Sequence, residues 1–128
     1  MTERGLLDTS VLIAEDVGAL PGQLAISVIS IAELQFGVLV AQDPGVRAQR
    51  LTRLSRLQRH FDPLPVDDTV ADSYGRIAAH VAAAGRQPRA RSMDLLIAAT
   101  AHAHGAVLFT RNAGDFAGLD AFLDVRPA

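Results

Sequence analysis

Short apolar runs alternate with helical stretches along this chain, and that alternation limits the fold more than any other feature. Leu6-Leu7 begins an apolar run that breaks at Asp8, and residues 9–19 read as helix up to the turn signal Leu20-Pro21-Gly22. Leu24–Val28, rich in β-branched residues, reads as a strand, and Ser30 opens a helix to about Val40. Asp43-Pro44-Gly45 turns the chain into residues 46–61, where Val46, Leu51, Leu54, Leu57 and Phe61 share one broad helical face. Pro63–Val66 is extended because its prolines forbid helix. Val70, Tyr74, Ile77 and Val81 then recur at helical spacing, stopped by Gly85 in the C′ position. After a basic loop, Arg86–Arg91, Ser92 leads into a nearly all-apolar helix, Leu95–Ala103, ended by Gly105. Ala106–Phe109 is a buried-type strand and Phe122–Val125 a last, short one.

The strands are apolar runs without polar alternation, as burial on both faces requires. Strands of this kind separated by helices make βαβ units and a parallel sheet covered on both sides, an α/β fold. At 128 residues the chain holds one buried core, so residues 1–128 are expected to form a single domain. No apolar run approaches the length of a membrane span. The start, Met1-Thr2-Glu3-Arg4-Gly5, carries no leader pattern, which leads to the expectation of a cytoplasmic protein.

In such folds ligands bind beyond the carboxyl ends of the strands. Asp8 closes the first strand, and Glu33 stands in what reads as the first turn of the helix opened by Ser30. Asp94 stands in the first turn of the buried helix, and Asp115 follows the strand ending at Phe109. All four therefore point to one end of the sheet. Gathering carboxylates in one cleft is costly because like charges raise one another's pKa. A hard divalent cation removes that cost, and Mg²⁺ or Mn²⁺ prefers oxygen ligands. Metal chemistry of other kinds is restricted: the chain has no cysteine, hence no thiolate-held zinc or iron–sulfur site. It also has no lysine, which excludes the P-loop, Schiff-base enzymes and receiver domains.

Each carboxylate except one has a plainer role. Ser30 with Glu33 matches a capping box, Asn112 with Asp115 fits an N-cap with an acidic third residue, and Asp94 suits a helix N-terminus. Asp8 has no such alternative, since a carboxylate ending a buried strand is expensive without a partner.

Four segments carry a resemblance. Leu7-Asp8-Thr9-Ser10, Ser30-Ile31-Ala32-Glu33-Leu34, Asp94–Ala101 and Thr110–Phe116 resemble, in order and spacing, the signature segments of PIN domains, most closely the VapC toxins of bacterial toxin–antitoxin pairs. The resemblance implies a three-layer α/β/α sandwich with a short parallel sheet and Mg²⁺-dependent endoribonuclease activity, Mn²⁺ substituting. It places metal-site and catalytic duty on Asp8, Glu33, Asp94 and Asp115, with Thr9, Thr110 and Asn112 as supporting polar residues. It implies a cognate VapB-type antitoxin, an RNA substrate such as tRNA or rRNA, and a homodimer. Carboxylate-held Mg²⁺ suits phosphodiester hydrolysis because it acidifies water and orients the phosphate.

Other features are weaker. His102 and His104 point about 200° apart on a helix and cannot share an ion there. Arg47, Arg50, Arg53, Arg56 and Arg59 recur every third residue and so spiral by about 60° per step; Arg53, Arg56 and Arg59 read as a solvated face, while Arg47 and Arg50 flank the apolar face, placed to snorkel or meet a partner. Arg86, Arg89, Arg91 and Arg111 precede acidic positions and are candidate contacts to RNA phosphates. With five Phe, one Tyr and no Trp, few side chains can stack on single-stranded bases, which favours recognition of RNA shape and backbone. Net charge is −2, so binding does not rest on a generally basic surface. An aspartyl-phosphate phosphatase would want a second aspartate where Ser10 stands. A non-catalytic PIN-fold RNA-binding module and a housekeeping RNA-processing nuclease are the remaining alternatives.

Overall fold

The computed structural model describes residues 3–128; Met1 and Thr2, the beginning of the expected leaderless N-terminus, lie outside the described residues. Strands β1 (Arg4–Leu7), β2 (Gln23–Ala25), β3 (Val107–Thr110) and β4 (Val125–Pro127) form one parallel sheet in the order β2-β1-β3-β4. Its helices are α1 (Thr9–Ile13), α2 (Val28–Val40), α3 (Pro44–His60), α4 (Asp68–Ala83) and α5 (Ser92–Ala103). Two 3-10 turns, Pro88–Arg91 and Ala113–Phe116, complete the regular structure.

Side-chain alternation along the strands builds the three layers. Leu6 and Leu108 enter a core with Val70, Ile77, Leu95 and Ala98, so α4 and α5 cover one face. Leu7, Val107 and Phe109 point to the other, where they meet Val11, Ile26 and the partly buried Leu57 and Phe61. A second seam, Leu34 and Val38 against Leu54, joins α2 to α3. The α/β/α expectation therefore holds. Close strand contact dictates one glycine: a Cβ on Gly5 would stand 2.7 Å from Phe109 Cε2. Gly85 follows the α4 C-cap with φ of +81°, the left-handed conformation expected of it. Among the described residues no helix is long and apolar enough to cross a membrane.

Three boundaries differ from the sequence expectation. The first helix ends at Ile13 rather than continuing to residue 19. Beyond it Val17 and Leu20 pack onto the Leu7–Phe109 core, and Asp16 pairs with Arg111 at 2.7 Å, so tertiary contacts replace helical ones. The last strand begins at Val125 rather than Phe122, because Phe122 and Leu123 turn into the α4–α5 core. His102 Nδ1 lies 3.1 Å from the Phe122 carbonyl and His80 Nε2 lies 2.9 Å from that of Gly118, which holds this turn in place.

The third difference bears on function. The second strand stops at Ala25, and α2 starts at Val28 with Ser27 as its N-cap. Ser27 Oγ accepts the Ile29 N–H at 3.0 Å. Ser30 is therefore already inside the helix, and Glu33 lies in its second turn. The capping-box reading of Ser30 with Glu33 is removed.

Candidate active site

In a sheet ordered β2-β1-β3-β4, the chain leaves β1 towards one edge and later returns to the other side of it. The topological switch point thus falls between β1 and β3, where ligand crevices open beyond the strand ends. Asp8 follows β1 directly and extends the ladder through its own N–H to Phe109 O, 2.9 Å. Thr110 ends β3 beside it. Both are buried, and Thr110 Oγ1 donates to Asp8 Oδ2 at 2.8 Å. Ser10 Oγ donates to the same Oδ2, also at 2.8 Å. Both bonds fall on one oxygen; among the described residues no donor meets Oδ1. The carboxylate is fixed in orientation with one oxygen left over for a ligand.

Glu33 is held differently. Thr9 Oγ1 donates to Glu33 Oε1 at 2.7 Å and lies 2.7 Å from the fully buried Ser30 hydroxyl. Thr9 has one hydroxyl hydrogen, so Ser30 must be the donor to Thr9. The chain Ser30→Thr9→Glu33 orients the carboxylate from the α2 side.

Asp94 is the third residue of α5 and half-buried, and its carboxyl is pushed up to about 6. Burial is the main cause, followed by the negative charges of Asp115, Asp8 and Glu33, with Arg91 opposing. The other three predicted acids therefore all act on Asp94 through space. Asp115 sits in the turn Ala113–Phe116, where its N–H reaches Asn112 O at 2.9 Å. Asn112 makes no side-chain cap; its N–H instead donates to Thr110 Oγ1 at 2.9 Å.

Of the candidate phosphate-binding arginines, two brace the Asp115 turn from the α5 side. Arg91 Nη1 donates to Asp115 O at 2.7 Å, and Arg86 Nη1 donates to Ala117 O at 3.3 Å. Arg111 pairs with Asp16, while the exposed Arg89 has no side-chain partner among the described residues. Ser10 and Ser30, which the sequence offers little reason to place in the site, orient Asp8 and Thr9. The available signal for Ser10 was its position two residues after Asp8, which suits a hydroxyl folding back onto that carboxylate.

The donor set is all oxygen and all anionic, which suits a hard divalent cation. As placed, no three His, Asp or Glu side chains among the described residues close around a point that could hold one by direct contact. Direct contact is not required, since Mg²⁺ commonly keeps several waters between itself and its carboxylates. The Asp94 carboxyl is raised first by its burial and then by the charges of Asp115, Asp8 and Glu33, which a bound cation would offset.

A stability prediction follows with a definite sign. Asp94 binds its proton more tightly in the folded chain, from an ordinary value of 3.8 to about 6. Its contribution is thus fully present below pH 3.8 and is lost as pH rises towards 6. In metal-free buffer, the melting temperature of Asp94→Asn relative to wild type should climb over that interval and then level off. Added Mg²⁺ should narrow the gap at pH 7 by stabilising the wild type alone. A gap independent of pH would remove Asp94 from the repelling cluster.

Comparison with known proteins agrees with this geometry. The PIN domain family matches residues 5–121. Ribonuclease VapC5 of Mycobacterium tuberculosis is 41% identical over 122 residues, 91% of this chain and 87% of that protein. Ribonuclease VapC8 of the same species is 45% identical over 101 residues, 76% of this chain and 89% of that protein. Among solved structures, the VapBC-5 toxin–antitoxin system of Mycobacterium tuberculosis superposes with a TM-score of 0.83 at 40% identity, covering 97% of this chain and 96% of its counterpart. FitAcB from Neisseria gonorrhoeae superposes with a TM-score of 0.74 at 28% identity, covering 94% and 95%. With the family match spanning nearly the whole length and the acids gathered at the switch point, the chain belongs to the PIN-domain family, in its VapC branch.

Proposed function

We propose that this chain is a divalent-metal-dependent endoribonuclease, the toxin of a bacterial toxin–antitoxin pair. The observation that carries the reading is the gathering of Asp8, Glu33 and Asp115 within electrostatic reach of Asp94 at the β1–β3 switch point. The ribonuclease names of the VapC relatives support the reaction, and the VapBC complex among the structural neighbours supports a VapB-type antitoxin as partner. Mg²⁺ is the ion we assign, with Mn²⁺ substituting, and Asp8, Glu33, Asp94 and Asp115 are the residues that would hold it. When bound, such a cation acidifies water and neutralises charge on the scissile phosphate.

The chain's own groups set up that chemistry. Ser10 and Thr110 keep Asp8 in one orientation, and Thr9 does the same for Glu33. Arg91 fixes the Asp115 turn from behind through its carbonyl. Arg89, free of protein partners among the described residues, is the side chain of the basic loop that we assign to a flanking phosphate. The substrate class we infer is structured RNA, tRNA or rRNA, read by shape and backbone because stacking aromatics are few. The same reading makes the protein cytoplasmic and homodimeric.

The test is cleavage of a structured RNA by the purified chain with Mg²⁺, repeated with Mn²⁺ and with excess EDTA. Cleavage with either metal and none in chelator is expected. Undiminished cleavage in EDTA would overturn metal dependence, and RNA binding without cleavage in any metal would favour the non-catalytic module.

A further inference from the structure

The arginine spiral on α3 does not simply face solvent. Its first two members cap α2: Arg47 donates to Ala41 O at 2.7 Å, and Arg50 Nη1 donates to Gly37 O at 2.7 Å. Two further steps of about 60° each turn Arg53 and Arg56 towards α1. Arg53 lines an open cleft of about 280 Å³ together with Thr9, Glu33, Gly37 and Arg50. It also lines a larger one of about 710 Å³ with Leu12, Glu15, Arg56 and Leu57. Arg53 is thus shared by two clefts, and the smaller of them opens onto Glu33 and its orienting Thr9. The two clefts succeed one another along α3, the first holding Glu33 and the second Arg56, with Arg53 lining both.

We propose that the RNA strand leaving the carboxylate cluster follows these two clefts along α3, with successive phosphates taken by Arg53 and Arg56. The proposal rests on the ribonuclease reading above. Charge is its warrant. Neither guanidinium has a carboxylate or carbonyl partner among the described residues, unlike Arg47, Arg50, Arg86, Arg91, Arg111 and Arg126. Against them the larger cleft presents a single carboxylate, Glu15. Residues three apart on a helix are neighbours, so the two side chains offer one cationic rail along the clefts. A strongly acidic catalytic cluster repels a polyanion, and a cationic rail beside it offsets that repulsion where the strand enters or leaves.

The experiment measures binding of a fluorescein-labelled, mixed-sequence single-stranded RNA of about 20 nucleotides, in EDTA, across a salt series. Contacts to single-stranded phosphates each contribute about 0.7 to the slope of log affinity against log salt. Arg53→Gln/Arg56→Gln should flatten that slope by about 1.4 and weaken binding roughly 20-fold at 0.1 M salt. Arg53→Lys/Arg56→Lys should retain the slope, since a phosphate accepts either cation. Arg59→Gln, on the same helix but outside both clefts, should match wild type. An unchanged slope in the double glutamine variant overturns the proposal, as does an equal loss in Arg59→Gln. An unchanged slope with lost capture of a co-expressed VapB-type protein also overturns it and assigns the clefts to that partner. Failure of the wild type to cleave any RNA with Mg²⁺, while the slope still depends on Arg53 and Arg56, would sink the ribonuclease reading and leave the cationic rail standing.

Discussion

Asp8→Asn folds, melts within a few degrees of wild type without metal, and cleaves RNA on the order of 10²–10³-fold more slowly, the scale seen when one preorganised electrostatic group is lost. The expectation comes from the asymmetry of the bonds at this side chain. Ser10 and Thr110 both donate to Oδ2 at 2.8 Å. An asparagine oxygen placed there still accepts both hydroxyls, although from a neutral acceptor they are weaker. Removing a buried negative charge from a repelling group compensates in the opposite direction. At the Oδ1 position the variant presents an N–H₂, which cannot ligate a cation and carries no charge. Shape is kept while the ligand is lost. Cleavage at the wild-type rate would remove Asp8 from the acidic set, and a large drop in melting temperature would make it a structural carboxylate instead.

How far the site was legible before the structure depends on which kind of information each residue carries. Asp8, Asp94 and Asp115 stand beside strand ends or helix starts that local pattern marks clearly, so their convergence followed from parallel topology alone. The bonds that orient them did not. Thr110 reaches Asp8 across 102 positions and Thr9 reaches Glu33 across 24, and no local spacing encodes either. The arginines show the same limit. Period three along α3 is equally compatible with a solvated spiral and with a division of labour between α2 carbonyls and two clefts. Only the packing of α1 and α2 against α3 separates these. Element boundaries failed where buried apolar residues outweighed propensity, at Val17 and Leu20 after α1 and at Phe122 before β4.

The displaced start of α2 turns Glu33 into a clean test. With Ser27 rather than Ser30 as N-cap, cap and candidate ligand are now different residues, six positions apart in sequence. Two substitutions should therefore dissociate. Ser27→Ala removes the oxygen that accepts the Ile29 N–H at 3.0 Å and should cost about 1 kcal/mol of stability. It touches none of the four acids, so cleavage measured well below the melting temperature should stay near wild type. Glu33→Gln should do the reverse. Its Oε1 still accepts from Thr9, so the Ser30→Thr9 relay survives and the fold loses little. The negative charge that a hard cation requires is gone, and cleavage should fall by about 10²-fold. Because one fewer carboxylate then faces Asp94, the metal-free Gln variant should also lose less stability than wild type as pH rises towards 6. The measurements are thermal melting without metal at several pH values and RNA cleavage with Mg²⁺. Should Glu33→Gln cleave like wild type, its bond to Thr9 would be no more than packing on α2. Should it melt far below wild type, the charge itself would be holding the helix, and the separation of cap from ligand would collapse.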